Sequence, residues 1–145
     1  MKFLLVVMTL LTMAIALMAA DSASSVTFVD HDKVAAALAK GGPLVTAQDL
    51  SVRGSHRTGP GEVEVHEKET DVIYVVDGQA TFVTGGTIVG GRTTSPGQLL
   101  GTDIRNGQSQ HLSKGDVIVV PAGTPHWFKE VSQPISYYVV KVIKP

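Results

Sequence analysis

The chain has 145 residues, enough for one domain with its own core and too few for two. Its 12 basic and 13 acidic residues leave a net charge of −1 with no basic stripe, which excludes a nucleic-acid-binding surface. It contains no cysteine, so no disulfide can staple it and the fold must stand on its core.

In chain order, residues 1–20 read as a secretory signal peptide. Lys2 supplies the positive start, Phe3 to Met18 is an apolar run broken only by Thr9 and Thr12, and Ala19-Ala20 precede the polar Asp21-Ser-Ala-Ser-Ser. The run is short for a membrane span. Removal of this leader predicts a secreted or periplasmic protein with no stable membrane association. Lys2 leaves with it, so 11 basic residues face 13 acidic ones. Residues 21–49 form an N-terminal segment with a short helix, and residues 50–145 a β-barrel. Asp30 caps that helix, the alanines around Val34 and Leu38 favour it, and Gly41 with Pro43 ends it. His31 falls in its first turn as a surface residue. Leu44–Thr46 and Leu50–Arg53 are short strands, and Gly54–Gly61 is a polar loop in which His56 and Arg57 are solvated or reach a pocket rim.

Further strands are expected at Glu62–His66, Asp71–Val76, Gln79–Thr84, Val117–Pro121, His126–Glu130 and Ile135–Ile143, with Asp77-Gly78 a hairpin turn. Many short strands punctuated by turns indicate an all-β barrel or sandwich. The stretch Gly85–Gly107 holds seven of the 15 glycines and reads as a long hairpin or lid with one strand near Gln98–Ile104. Its Gly-Gly pairs lack the strand–helix context of a phosphate loop.

Chemistry concentrates in two stretches. Glu64 and His66 are two apart on one strand and share a face. Asp71 opens the next apolar run, and His126 sits just past the turn Pro121-x-Gly123. Two imidazoles and a carboxylate with open positions suit a divalent metal, Fe or Mn first, with Ni or Zn as further options. By alternation Ile73, Val75 and Phe128 face inward with the ligands, Glu130 follows onto the same face, and Tyr74 and Trp127 point away. On the last strand Ser136, Tyr138, Val140 and Val142 share one face, and Tyr137, Val139 and Ile143 the other. The sequence does not decide which looks inward. An apolar chamber with a polar floor suits a small organic ligand.

These residues resemble the paired signature of the cupin superfamily. The family's first motif runs His, one residue, His, four residues, Glu, six residues, Gly; here it is Glu64, His66, Asp71 and Gly78. The second runs Gly, five residues, Pro-x-Gly, two residues, His, three residues, Asn; here it is Gly115, Pro121, Gly123, His126 and Glu130. Spacing matches throughout, and identity departs at Glu64, Asp71 and Glu130. The resemblance covers residues 50–143 and implies a small cupin-type barrel (a double-stranded β-helix or jelly roll). It also implies that His66, Asp71 and His126 are metal ligands, that Glu64 stands at the first-His position as ligand or catalytic base, and that the protein is a homodimer. The expected function is a secreted enzyme acting on a small organic molecule, with dioxygenase chemistry named first. The alternatives are a non-catalytic ligand-binding or sensor barrel, a sugar isomerase or epimerase, and a dimer half with a vestigial site.

Overall fold

A computed structural model describes residues 25–144. The expected signal peptide therefore lies outside the described residues. Among the described residues no helix is long and apolar enough to cross a membrane. Helix α1 (His31–Lys40) forms where expected: the Asp30 carboxylate accepts from the Lys33 amide, and Gly41, at φ +75°, closes the last turn onto the Ala37 carbonyl. Ala37 is its buried residue and packs on Gly54, where an added Cβ would meet Ala37 backbone at 2.7 Å.

The rest is strand. β1 (Gly42–Thr46), β2 (Leu50–Arg57), β3 (Val63–His66), β4 (Glu69–Thr84), β5 (Thr87–Val89) and β6 (Arg92–Ser95) are followed by β7 (Gln98–Gly101), β8 (Asp103–Arg105), β9 (Gln108–Ser113), β10 (Val117–Val120) and β11 (His126–Ile143). One sheet runs β1-β2-β11-β3-β7-β6, and β4 joins it by pairing with β11 and carries β9 and β10 on its other edge. The long strands β4 and β11 pair antiparallel along nearly their whole length, from His126–Thr84 to Ile143–Glu69. They are the spine of the molecule.

Three sequence expectations change here. Gly54–Arg57 is strand, because β2 pairs with β11 residue by residue up to Arg57–Ile135. Asp77-Gly78 is no hairpin turn: β4 continues through it, and the register against β11 shifts at the same level, between Gln133 and Tyr137. Gly78, at φ +85°, passes so close to the partner strand that a Cβ would lie 2.0 Å from the Pro134 carbonyl oxygen. The glycine signal marks a corner where two strands bend together. The stretch Gly85–Gly107 folds into β5 to β8: β7, bonded to β3, and β6 extend the main sheet, while β5 and β8 pair as a separate two-stranded sheet.

The core lies between the sheet's inward faces. Phe82, Val75 and Ile135 are fully buried and pack with Ile73, Leu112 and Phe128. Each such large apolar side chain contributes about 1.5–3 kcal/mol by leaving water. A smaller cluster of Val63, Val83 and Ile104 takes in Trp127, whose indole Nε1 donates to the Gly61 carbonyl at 2.7 Å.

Candidate metal centre

Two cross-strand pairs build the site. His126, the first residue of β11, lies opposite Glu64 on β3, and Lys141, near the end of β11, lies opposite Asp71 on β4. Directly opposed residues hold their Cβ atoms about 5 Å apart, within reach of each other's side chains. His66, two residues after Glu64, completes the group. His66, Asp71 and His126 are the buried polar residues of the described chain, at 7%, 4% and 5% exposure.

Each imidazole is held by its outer nitrogen. His126 Nδ1 donates to the Thr124 carbonyl oxygen at 3.0 Å, and His66 Nδ1 donates to Gln98 Oε1. With Nδ1 carrying the proton in the neutral ring, Nε2 presents a lone pair. These two lone pairs meet carboxylate oxygens. His66 Nε2 lies 3.3 Å from Glu64 Oε2 and 3.6 Å from Asp71 Oδ2, and His126 Nε2 lies 3.7 Å from Asp71 Oδ2. His66 Nε2 is buried without a hydrogen-bond partner of acceptable geometry. A buried acceptor facing other acceptors is unfavourable unless a cation or proton stands between them.

The donor set fits a divalent metal by this observation. Glu64, His66 and His126 each offer one ligand atom within 4.8 Å of the others, as do His66, Glu69 and Asp71. Adjacent donors sharing one ion at about 2.0–2.2 Å lie about 3 Å apart, close to the His66–Glu64 spacing. The outer partners Gln98 and Thr124 orient the rings, as metal-ligating imidazoles require. Asp71 is differently engaged: the Lys141 ammonium donates to its Oδ1 at 2.9 Å and Oδ2 at 3.1 Å, and reaches Glu69 Oε2 at 3.0 Å.

Charge follows from these neighbours. Burial alone would raise the Glu64 carboxyl, but the proximity of His66, His126 and Arg57 outweighs it and holds the group down at about 2. Burial also disfavours the His66 imidazolium, yet Glu64 and Asp71 raise that ring above its usual value. His126 is lowered, chiefly by burial.

Above the floor is a cavity of about 410 Å³. Ile73 and Phe128 line it as expected, while Val75 is buried in the core and does not reach it. Glu130 is not in the cavity. The register shifts between Phe128 and Glu130, which turns Glu130 outward, where it is exposed and accepts from Thr81 Oγ1 at 3.2 Å. Tyr74 points outward, 44% exposed, as alternation requires. Trp127 lines the cavity side and packs inside. His31 and His111 are exposed.

Three contributors were missed, and a fourth, Arg57, was read only as solvated or at a pocket rim. Gln98 lies opposite His66 on β7, a pairing across a stretch whose strands the glycines obscured. Glu69 is half-buried against Lys141. Arg57, assigned to a loop, donates Nε to Tyr137 Oη at 2.9 Å and Nη2 to Glu64 Oε1 at 3.2 Å. Lys141 alternates with Tyr137 and Val139, the inward face of β11. A lysine in phase with buried aromatic and aliphatic residues is the signal that would have found it.

A family model described as Cupin matches residues 21–143. No curated protein matches the chain. Among solved structures, a protein from Bacillus halodurans is 17% identical, covering 85% of this chain and 86% of its own, with a TM-score of 0.58. A protein from Thermus thermophilus is 19% identical over 73% of this chain and 84% of its own, with a TM-score of 0.52. The DMSP lyase DddQ from Ruegeria pomeroyi is 15% identical over 71% of this chain and 46% of its own, again at 0.52, so this chain spans less than half of that one. Such identities carry the fold alone: mostly β, with one short helix.

Proposed function

The chain belongs to the cupin family, and from that premise we propose that it is a divalent-metal-dependent enzyme acting on a small organic molecule. The observation that supports this reading is the convergence of the His66 and His126 Nε2 lone pairs on Glu64 and Asp71, with both outer nitrogens already bonded. Glu64, His66 and His126 hold the ion in this reading. Asp71, neutralised by Lys141, balances charge beside it. Two imidazoles with oxygen donors favour Fe(II) or Mn(II) over soft-ligand metals. When bound, such an ion supplies Lewis acidity and, for iron, access to oxygen chemistry, so a dioxygenase-type reaction is placed first.

The chain's own groups set the rest. A carboxyl held near 2 is a weak proton acceptor at neutral pH and a good anionic ligand, which favours Glu64 as ligand over general base. Phe128, stacked on Tyr137 at 4.9 Å, walls the cavity with Ile73 and limits water beside the floor. The leader read from residues 1–20 makes export the proposed fate of the protein.

A ligand-binding barrel without turnover is the second reading. It is favoured by the Lys141–Asp71 pair, which leaves no unpaired acid–base group on the floor besides the imidazoles. The deciding measurement is metal content by elemental analysis of the chain without residues 1–20, purified untagged, beside the double variant His66→Ala/His126→Ala. Near-stoichiometric metal in the parent and none in the variant is expected. A parent that is empty and takes up no added Fe(II), Mn(II), Ni(II) or Zn(II) overturns the metalloenzyme.

A further inference from the structure

We infer that the cavity selects a small organic anion, a carboxylate, and that Arg57, Arg53 and Lys40 recognise it. The inference rests on reading the cavity as the substrate site, but not on the metal. Four cationic side chains line the cavity (Lys40, Arg53, Arg57 and Lys141) against two carboxylates, Glu64 and Asp71. Both carboxylates are already answered: Glu64 by Arg57 at 3.2 Å and Asp71 by Lys141 at 2.9 Å. Among the described residues, Lys40 and Arg53 form no ion pair. Lys141 also holds Glu69 at 3.0 Å, so the surplus positive charge of the wall, before any metal is added, rests on Lys40 and Arg53. A concave site with one sign of charge and low-dielectric walls concentrates ligands of the opposite sign.

Placement is built in from three elements. Gly54 lets the backbone of β2 approach α1 at Ala37, which brings the end of that helix, with Lys40 and Gly41, to the cavity mouth. Arg53 projects from β2 beside it. Arg57 is locked deeper: Nε on Tyr137, Nη2 on Glu64, and its guanidinium 5.0 Å over the Phe128 ring. A Cβ on Gly61 would lie 2.6 Å from Arg57 Nη1, so glycine there makes room for this rotamer. Tyr137 Oη accepts from Arg57, which leaves its own hydroxyl proton free to donate to a ligand. His56 is turned to the helix side of the strand, where its Nδ1 bonds Ser136 Oγ at 2.9 Å, whose own proton goes to the Leu38 carbonyl at 3.1 Å. Ile73, Phe128 and Val139 supply an apolar strip for a short carbon body. Catechols and neutral sugars leave these cations unanswered; a carboxylate answers them.

The test is calorimetric titration at low salt with succinate and malonate against succinamide and malonamide, neutral partners of nearly the same shape. It is run on metal-stripped protein and again after loading with Mn(II). The variants are Lys40→Gln/Arg53→Gln, whose side chains are exposed, and Arg57→Gln, with a melting curve for each. At least one diacid is expected to bind the metal-stripped parent about tenfold or more tighter than its diamide, as charge-assisted hydrogen bonds are about twice as strong as neutral ones. The double variant is expected to lose about fivefold of that preference with an unchanged melting point. Equal binding of diacid and diamide overturns the inference, as does a double variant indistinguishable from the parent, or no binding by any probe at about 10 mM. Metal-stripped protein that prefers the diacid, but takes up no metal, refutes the metalloenzyme and retains the anion site. Metal-loaded protein blind to charge does the reverse.

Discussion

At the scale of single residues, the floor is a set of groups whose charges are solved only jointly. Glu64 is ordinary at 4.5 when unfolded and is held at about 2 in the fold. A depressed carboxyl stabilises the fold above its unfolded value, and that contribution disappears as pH falls from about 4.5 through about 2. His126 and His66 pull in opposite directions. The buried His126 favours the fold above its ordinary 6.5, while His66, raised, favours it below that value, so the two act in opposite directions near neutrality. The acid window therefore belongs mainly to Glu64, with Glu69 acting in the same direction through its hydrogen bond to Lys141. The shift corresponds to at most about 3 kcal/mol, reduced because the Glu64 side chain is 31% exposed. Urea denaturation of metal-free protein should show stability falling from pH 4.5 to 2.5, with a shallower fall in Glu64→Gln. Parallel pH profiles for the two proteins would contradict this account of the floor.

At the scale of elements, the strands bearing the candidate ligands were legible because alternation and the Pro-x-Gly turn fix which residues share a face. Glu64, His66, Asp71 and His126 all converge as that pattern requires. Alternation fails where the register shifts. Glu130 left the cavity because β11 slips by one residue after Phe128, and nothing in Lys129-Glu130-Val131 announces a bulge. Long-range pairing was equally illegible: Gln98 reaches His66 only because β7 lies on β3, a contact between segments 32 residues apart. Gly78 shows a correct residue signal read with the wrong geometry. Asp-Gly favours a tight hairpin, yet here the glycine bends two paired strands through one corner. Gly78→Ala should therefore cost far more than the roughly 1 kcal/mol of an ordinary left-handed glycine, because its Cβ would overlap the Pro134 carbonyl, and that backbone cannot rotate away. A loss of about 3 kcal/mol or more in chemical denaturation is expected. Gly115→Ala is the control: it also has positive φ, at +93°, but nothing lies within 4 Å of its Cβ. Equal losses at the two positions would remove the close approach as the reason for glycine at Gly78.

At the scale of the whole molecule, the part of the outer sheet face beyond the place where α1 packs on Gly54 is uncovered among the described residues. Outward residues of β10, β4 and β11 lie side by side, with Val117 opposite Tyr74, Val119 opposite Val72, Tyr138 opposite Tyr74 and Val140 opposite Val72. None of these is charged. Val117 is 60% exposed and Val119 55%, and Tyr74 and Val142 are exposed beside them. Contiguous apolar surface of this kind on a small domain marks an interface, where scattered single residues would not. We propose that a second copy covers it, giving a homodimer. A single face of one chain must then complement itself, and a flat apolar sheet with tyrosines among valines does so about a two-fold axis. The anchors are Tyr74, Val117 and Val119. Trp127, which alternation turns away from the ligand face, packs with Val63, Val83 and Ile104. This face is also the reverse of the strands that hold Asp71 and Lys141, so pairing would stiffen the floor without closing the cavity. Light scattering of the chain without residues 1–20 should give twice the monomer mass at micromolar concentration. Val119→Glu, placed where no core contact is lost, should give the monomer mass with the melting curve still cooperative. A parent that is monomeric across that range, or a variant that remains dimeric, would mean that this face is not where the copies meet.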